Sequence, residues 1–538
     1  MSEKKLLLGD EALALGALHA GLSGVYAYPG TPSTEITEYI QSHPLTRRRG
    51  IHCDWSANEK TAMEAALGVS YSGKRALVCM KHVGMNVCAD AFVNSAVTGA
   101  NGGLVVVACD DPSQHSSQNE QDSRFYADFA MVPCFEPSSQ QEAYDLAKEA
   151  FEYSEKMHIP VLMRLTTRMA HSRAVVVTDD EPRRENEVRF PDEAHEKNWV
   201  TLPAISRKRI AGLAEDVLKF EKDSVSGGQD LIIDGPDKTM GVIACGLGYN
   251  YLMENYPQGC PYPVLKVSRY PFPRCLALEL ARRCGRLLVI EEGQPLVESR
   301  LQGYLYDPSA IGAVQVKGRL DGTLPRTGEL SPGVVRKALG LPALPAAPEA
   351  ETVVSRPPAL CQGCGHRDFY TALNAVLKEY APTARVFSDI GCYTLGYMPP
   401  FKSFQTCVEM GASVTMALGA ANSGVWPAVA VIGDSTFTHS GMTGLLDCVN
   451  AGASVTVCIS DNLTTGMTGG QDSAGTGRIE AICKGLGVDP DHIRTIVPLP
   501  KNYAEMEAVI NEEINYSGVS VIVCRRECIQ TAKRHLKK

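Results

Sequence analysis

The sequence predicts an α/β protein of several domains with mostly parallel sheets. Three observations lead there. Short apolar runs such as "ALVCM" and "LVVVAC" end in glycine or polar turns and alternate with helical patterns, the rhythm of strand, crossover helix and parallel strand. That rhythm restarts twice, once after a charged stretch and once after a proline-rich one. A length of 538 residues also exceeds one compact core.

In chain order, residues 1–176 carry strand candidates in "SGVYAYPG", "GKRALVCMKH" and "GGLVVVACDD". The opening "MSEKKLLLGDEALALGALHAGLSG" begins like an export signal, but Asp10 and Glu11 break its apolar run. Its leucine and alanine spacing predicts an amphipathic helix instead. Residues 177–238, with "TDDEPRRENEVRFPDEAHEKN", are charged and irregular and read as a connection or surface insertion. A second α/β domain, 239–345, holds "MGVIACG", "PVLKVSR" and "RLLVIEEG". Residues 346–357 lie in the proline- and alanine-rich "LGLPALPAAPEAETVVSRPPAL" and read as a linker. The third domain, 358–538, contains "RVFSDIGCYTLG", "PAVAVIGDSTF", "ASVTVCISDN" and "VSVIVCRREC". The sequence shows no repeat of fixed period.

A net charge of −9 argues against a basic stripe and hence against a nucleic-acid partner. No stretch is long and apolar enough to cross a membrane, so a cytoplasmic protein is expected. Most of the 18 cysteines, such as Cys79 and Cys458, sit singly in apolar runs and read as small core residues. With no export signal, a disulfide framework is not expected. Cys361, Cys364 and Cys392 differ, because glycines and turns flank them.

"AVAVIGDSTFTHSG" is an apolar strand running into Gly433, Asp434 and Ser435. The next strand candidate ends in "DNLTTGMTGGQ", which places Asn462 one helical crossover after Asp434. In open α/β sheets ligands bind beyond the carboxyl ends of strands. Magnesium takes hard oxygen ligands, and phosphates complete its shell. An aspartate, an asparagine amide and a carbonyl at Thr464 suit that demand, although each dipeptide alone is also a common turn former.

"GDS" followed by "DN" resembles the thiamine-diphosphate motif. Together, "CQGCGHR", "SDIGCYTLG", "MGASV", "GDSTFTHSG" and "NLTTGMTGGQ" resemble the alpha subunit of indolepyruvate:ferredoxin oxidoreductases, in the 2-oxoacid:ferredoxin oxidoreductase superfamily. The resemblance runs along nearly the whole chain. It implies a pyrimidine-binding domain, a transketolase-C-like domain and a diphosphate-binding domain, in that order. It also implies magnesium on Asp434, Asn462 and Thr464, a diphosphate lined by Gly391, Gly433, Ser435 and Thr436, and Met467 near the bend of the cofactor.

"YPGTPSTE" reads as a helix start, with Thr31 as N-cap and Pro32 in the first turn. Such an end also welcomes a carboxylate, and the resemblance gives Thr31 the carboxylate of a 2-oxoacid. Ser56 and Glu59 have the spacing of a capping box. The family instead makes Glu59 the carboxyl that bonds the aminopyrimidine ring, and one side chain cannot do both. Lys81 and His82, at a strand end, align with a segment that faces substrate in relatives. Where pyruvate-specific relatives carry a substrate arginine, "VVVACDDPSQHSS" offers Asp110 and Asp111, which argues against pyruvate.

The "CQGC" pair alone is compatible with zinc, a dithiol switch or two corners of an iron–sulfur cluster. A zinc ribbon wants a second such pair, and the sequence has none. A dithiol switch wants the pair to open a helix after a strand, whereas this one follows a proline-rich linker. The family assigns Cys361, Cys364, Cys392 and Cys528 to a [4Fe–4S] cluster, with Cys524 as competitor for the last place. The variant "CQGCGH" replaces the family's "CPGCPH". Relatives of this type usually continue into a ferredoxin-like tail, while this sequence stops at Lys538. The expectation is therefore a thiamine-dependent oxidation of an arylpyruvate such as indolepyruvate to an acyl-CoA and CO2. A smaller gamma-type (beta) subunit completes the hetero-oligomer, and ferredoxin or another electron-carrier subunit takes the electrons. The competing readings are a non-oxidative thiamine-dependent decarboxylase and a non-catalytic electron-transfer or scaffold subunit.

Overall fold

The computed structural model describes residues 3–179, 182–306, 314–345, 348, 350–354 and 356–535. Within the expected linker, residues 346, 347, 349 and 355 lie outside the described residues. The chain divides into two compact units, Met1–Ala347 and Pro348–Lys538.

The first unit is built on a seven-stranded sheet ordered Arg269–Tyr270, Cys134–Phe135, Val161–Thr166, Leu104–Asp110, Ala76–Lys81, Gly24–Ala27 and His52–Trp55. Every neighbouring pair is parallel except the first. Leu104–Asp110 is buried at every position, as a strand covered on both faces must be. A five-stranded sheet follows, with Gly241–Cys245 between Arg286–Ile290 and Val264–Val267.

A buried ionic network ties the two sheets. Arg164 donates to Asp110 at 2.6 Å and to the Glu292 carbonyl at 2.9 Å, while Arg124 reaches Glu291 at 3.0 Å. Such charges are tolerated inside only when paired and hydrogen-bonded.

The N-terminus departs from expectation. Glu3–Leu8 is a strand, antiparallel to Arg173–Thr178. The helix that follows, Gly9–His19, is buried around most of its circumference rather than amphipathic. It packs so closely on helix Gln140–Met157 that a Cβ on Gly16 would stand 2.4 Å from the Tyr144 carbonyl oxygen. The charged stretch after residue 177 contains a 24-residue helix, Pro203–Ser226, which buries Leu213 and Phe220.

The second unit is a six-stranded, wholly parallel sheet. Its order is Thr406–Cys407, Arg385–Ser388, Ala428–Gly433, Val455–Asp461, Val519–Arg525 and Ile493–Ile496. Alternation along the strands feeds two cores. Val429 and Val431 pack with Phe369 and Leu373 on one face, and Ala430 and Ile432 with Val414 and Leu445 on the other. Because all strands run the same way, residues 389, 434, 462 and 526 leave the sheet at one edge.

Candidate active site

The central register of the second unit pairs Gly433 with Ser460, so Asp434 and Asn462 follow neighbouring strand ends. Asp434 is buried, and among the described residues its Oδ2 has no hydrogen-bond partner. Burial, with Asp461 adding, pushes its pKa up to about 7. Leu463 takes the left-handed conformation at φ 62°, which turns the chain back so that the Thr464 N–H donates to Asn462 Oδ1 at 3.2 Å. Ser435 and Thr465 hydroxyls meet at 2.8 Å. A buried carboxylate oxygen without a partner, beside an amide oxygen and a folded-back loop, fits a hard divalent cation carrying a diphosphate.

The two glycines have a packing reason. A Cβ on Gly391 or Gly433 would stand 2.4 Å or 2.6 Å from Tyr393 Cε1, so that ring occupies the space they leave. The Tyr393 hydroxyl bonds Asp389, whose carboxyl also accepts from Ser413 Oγ at 2.5 Å. Burial pushes Asp389 up to about 7 as well. Thr436 Oγ1 donates to the Ile390 carbonyl at 3.0 Å, and Met467 is 52% exposed.

Cys361, Cys364, Cys392 and Cys528 line one cavity of this unit, together with Asn462, Gly466 and Cys524. The Cys-x-x-Cys pair opens helix Gly365–Leu377, with Cys364 at its N-cap. The pair opens a helix, and among the described residues no strand lies between helix Pro332–Ala338 and this one. A helix N-terminus favours anionic sulfur. Gly363 is left-handed at φ 78°, and a Cβ on Gly365 would lie 3.2 Å from Pro498 and Arg526. Arg526 donates to Asp368 on that helix at 2.8 Å, and the Cys528 N–H to the Asn462 carbonyl at 3.0 Å. These bonds fasten the Cys528 segment to both the helix and the loop that follows strand Val455–Asp461. A Cβ on Gly466 would lie 3.4 Å from Cys392 Sγ. Burial, with Cys364 and Cys528 adding, pushes the Cys392 thiol up to about 12.

In the first unit the Gly30–Ser33 turn is closed by Ser33 Oγ on the Gly30 carbonyl at 2.7 Å, and the helix starts only at Thr34. Thr31 and Pro32 therefore stand in the turn before the helix rather than capping it. The Ser56–Glu59 box does not form either. Asn58 caps helix Glu59–Tyr71, its Oδ1 accepting from the Thr61 N–H at 2.9 Å. Glu59 turns inward, is buried, and lies over Gly84, where a Cβ would meet Glu59 Oε1 at 2.8 Å. Lys81 ends its strand, donates to the Ser116 carbonyl at 2.7 Å, and is lowered by burial to about 8, with Asp111 opposing. His82 is fully buried with neither ring nitrogen in a hydrogen bond. Burial lowers its pKa, against the pull of Asp110. Asp110 and Asp111 are held internally. Asp110 takes Arg164 and Ser123, and Asp111 takes Ser116 at 2.9 Å, Ser117 and Thr167.

Sequence reasoning passed over Asp389, Asn58 and His366. Asp389 was signalled by its place at a strand end beside a glycine. Nothing local distinguishes Asn58 from Ser56 as a cap. His366, two residues after Cys364, places Nδ1 3.1 Å from that sulfur.

Two family models match the chain. Residues 15–220 match the thiamine-diphosphate-binding domain of pyruvate flavodoxin/ferredoxin oxidoreductases. Residues 389–524 match the C-terminal thiamine-pyrophosphate-binding domain of thiamine pyrophosphate enzymes. Fold and matches together define a thiamine-diphosphate-dependent oxidoreductase of the α/β class. Over 98% of its length the chain is 39% identical to the indolepyruvate oxidoreductase subunit IorA of Archaeoglobus fulgidus, covering 86% of that protein. The corresponding subunit of Pyrococcus abyssi is 36% identical over the same shares. The 2-oxoglutarate synthase subunit KorA of Methanothermobacter thermautotrophicus is 25% identical over 54% of this chain and 88% of its own. The chain belongs to the 2-oxoacid:ferredoxin oxidoreductase family, and within it to the indolepyruvate oxidoreductase type.

Proposed function

We propose that this chain oxidatively decarboxylates an arylpyruvate such as indolepyruvate to an acyl-CoA and CO2, and passes the electrons through a [4Fe–4S] cluster to ferredoxin or a partner subunit. The observation that carries this reading is the shared cavity wall. Asn462 and Gly466, from the loop that follows the diphosphate-type strand, line the same cavity as Cys361, Cys364, Cys392 and Cys528. Thiamine diphosphate, when bound, supplies the stabilisation that lets a 2-oxoacid lose CO2. Cysteine ligands beside that loop give electrons a short exit.

In the second unit Asp434, Asn462 and the Thr464 carbonyl hold magnesium. Gly391, Gly433, Ser435 and Thr436 border the diphosphate, and Met467 lies at the bend of the cofactor. In the first unit Glu59 holds a proton at the aminopyrimidine ring, work that suits a carboxyl in a dry setting. Thr31 and Lys81 take the substrate carboxylate, and His82 orients the 2-oxoacid. Four cysteines lining one cavity support a cluster, which takes four thiolates.

The relatives are named as subunits, which supports a hetero-oligomer with a smaller gamma-type (beta) subunit. Among the described residues no helix is long and apolar enough to cross a membrane. The test is anaerobic purification with bound partners, iron, sulfide and thiamine analysis, and a 2-oxoacid panel read with a viologen dye. About four irons per chain and dye reduction dependent on coenzyme A and an arylpyruvate are expected. Iron-free protein that releases an aldehyde would establish the non-oxidative alternative.

A further inference from the structure

Apart from the cysteine cavity and the Asp434 loop, the first unit brings together a different set of ligand atoms. Asp10, Glu35 and His171 each offer one atom, and the three atoms lie within 4.8 Å of one another. They come from three elements: helix Gly9–His19, helix Thr34–Ser42 and the short helix Thr167–His171. His171 Nε2 stands 3.4 Å from Glu35 Oε2.

Asp10 makes this more than an acidic cluster. It is 0% exposed, and among the described residues neither carboxylate oxygen has a hydrogen-bond partner. Glu35 Oε2 is buried too, with His171 Nε2 as its neighbour. Native proteins pair buried carboxylates with cations, donors or protons, because an isolated buried charge is costly. The buried aspartates elsewhere in this unit follow that rule, Asp110 and Asp122 each being paired with arginine. Among the described residues no arginine or lysine pairs with Asp10, and its nearby acid, Glu35, carries the same sign.

We infer that Asp10, Glu35 and His171 form a divalent cation site of zinc or manganese type, unconnected with the magnesium of the diphosphate. One imidazole and two carboxylates are the ligand mix of such ions, whereas magnesium is served by oxygen alone. Two carboxylates and a divalent cation sum to zero charge, which suits a buried centre. Ligand atoms about 2.1 Å from a tetrahedral ion stand about 3.4 Å apart, within the observed spread. Asp10 is the floor of the site, while Glu35 and His171 are 37% and 34% exposed and form its mouth, so an ion has a way in. The ion would therefore clip the Gly30–Ser33 turn to the N-terminal helix and to the segment after strand Val161–Thr166.

The test uses the full-length chain with Cys361→Ser and Cys364→Ser, so that these thiols do not compete for the probe. Zn2+ and Mn2+ are titrated separately, with bound metal measured by equilibrium dialysis and elemental analysis and the melting midpoint followed in parallel. One equivalent is expected to bind and raise the midpoint. Asp10→Asn and His171→Gln should each weaken that binding at least about 100-fold, since even outer-shell partners are worth about 10–100-fold. Equal binding by parent and both variants would overturn the site. A parent that binds neither ion, with an Asp10→Asn variant that melts higher than the parent, would show a shared proton in place of a metal. Should Asp10→Asn fail to fold, the half-exposed His171→Gln decides.

Discussion

Cys364 Sγ and His366 Nδ1 lie 3.1 Å apart, with the ring buried and its pKa lowered by burial to about 4. At neutral pH the ring is uncharged, and with Cys364 as a thiolate ligand of the proposed cluster the Nδ1-protonated tautomer would donate to the sulfur. A hydrogen bond to a ligand sulfur stabilises the more negative, reduced state of a cluster and so raises its potential. His366→Ala is expected to lower the cluster midpoint by on the order of 50 mV, since a hydrogen bond nets about 1 kcal/mol and a one-electron couple moves about 59 mV per tenfold. A redox titration followed by electron paramagnetic resonance measures this. An unchanged midpoint would place the Nδ1 proton elsewhere.

Asn58 caps its helix and leaves Glu59 turned inward over Gly84. Glu59→Gln keeps the shape but cannot give up or take a proton in the same way. It should cost at least about 100-fold in kcat, the lower end for general acid–base groups. Gly84→Ala offers an independent check, because its Cβ would come within 2.7 Å of Glu59 Cγ and 2.9 Å of Met80 Cβ. It should lower turnover while leaving the first unit folded, as judged by circular dichroism. Wild-type turnover in both variants would remove Glu59 from the chemistry.

Lys81 yields a pH dependence. Burial lowers its pKa to about 8, with Asp111 opposing. Because the shift is downward, the ammonium is present below about 8 and lost as pH rises through it. Attraction for a substrate carboxylate is lost in the same direction. KM for the 2-oxoacid should therefore rise between about pH 7.5 and 9, and Lys81→Met should raise KM at pH 7 and flatten the profile. The linked stability runs the other way. The folded state holds fewer protons than the unfolded one between about 8 and the ordinary lysine value of 10.5, so this group's penalty on folding shrinks as pH rises there. A KM profile identical in wild type and Lys81→Met would separate Lys81 from the substrate.

The parallel strands were legible because a strand covered on both faces is an uninterrupted apolar run, as in "LVVVAC" and "VSVIVC". The pairing of Asp434 with Asn462 was legible for a related reason, since one crossover fixes the register of neighbouring strands. Glu3–Leu8 was not, because its partner Arg173–Thr178 lies far along the chain and only tertiary pairing makes it a strand. Helix Pro203–Ser226 was hidden among charges that belong to its solvent side, with only Leu213, Phe220 and Ser224 fully covered. Local rules also placed both N-terminal caps too early. Thr31 and Ser56 satisfy cap chemistry as well as Ser33 and Asn58 do, and the choice was made by where the preceding strand and turn end.

Cys524 and Cys528 line the same cavity, but they are held differently. Cys524 lies inside strand Val519–Arg525, is 4% exposed, and packs with Cys458 and Ile522 in the core. Its side chain is thus part of the strand's packed face. Cys528 follows the strand, is only partly buried, and its backbone N–H is tied to the Asn462 carbonyl, so its side chain is presented from a fixed loop. Cys528→Ser should therefore lose the cluster, with iron and sulfide falling to a small fraction of wild type in anaerobic preparations. Cys524→Ala should keep both and pay only the packing cost of a sulfur, about 1–2 kcal/mol of stability. If iron is instead lost with Cys524→Ala and retained with Cys528→Ser, the strand itself supplies the fourth ligand, and the segment carrying Arg526 and Cys528 serves only to cover it.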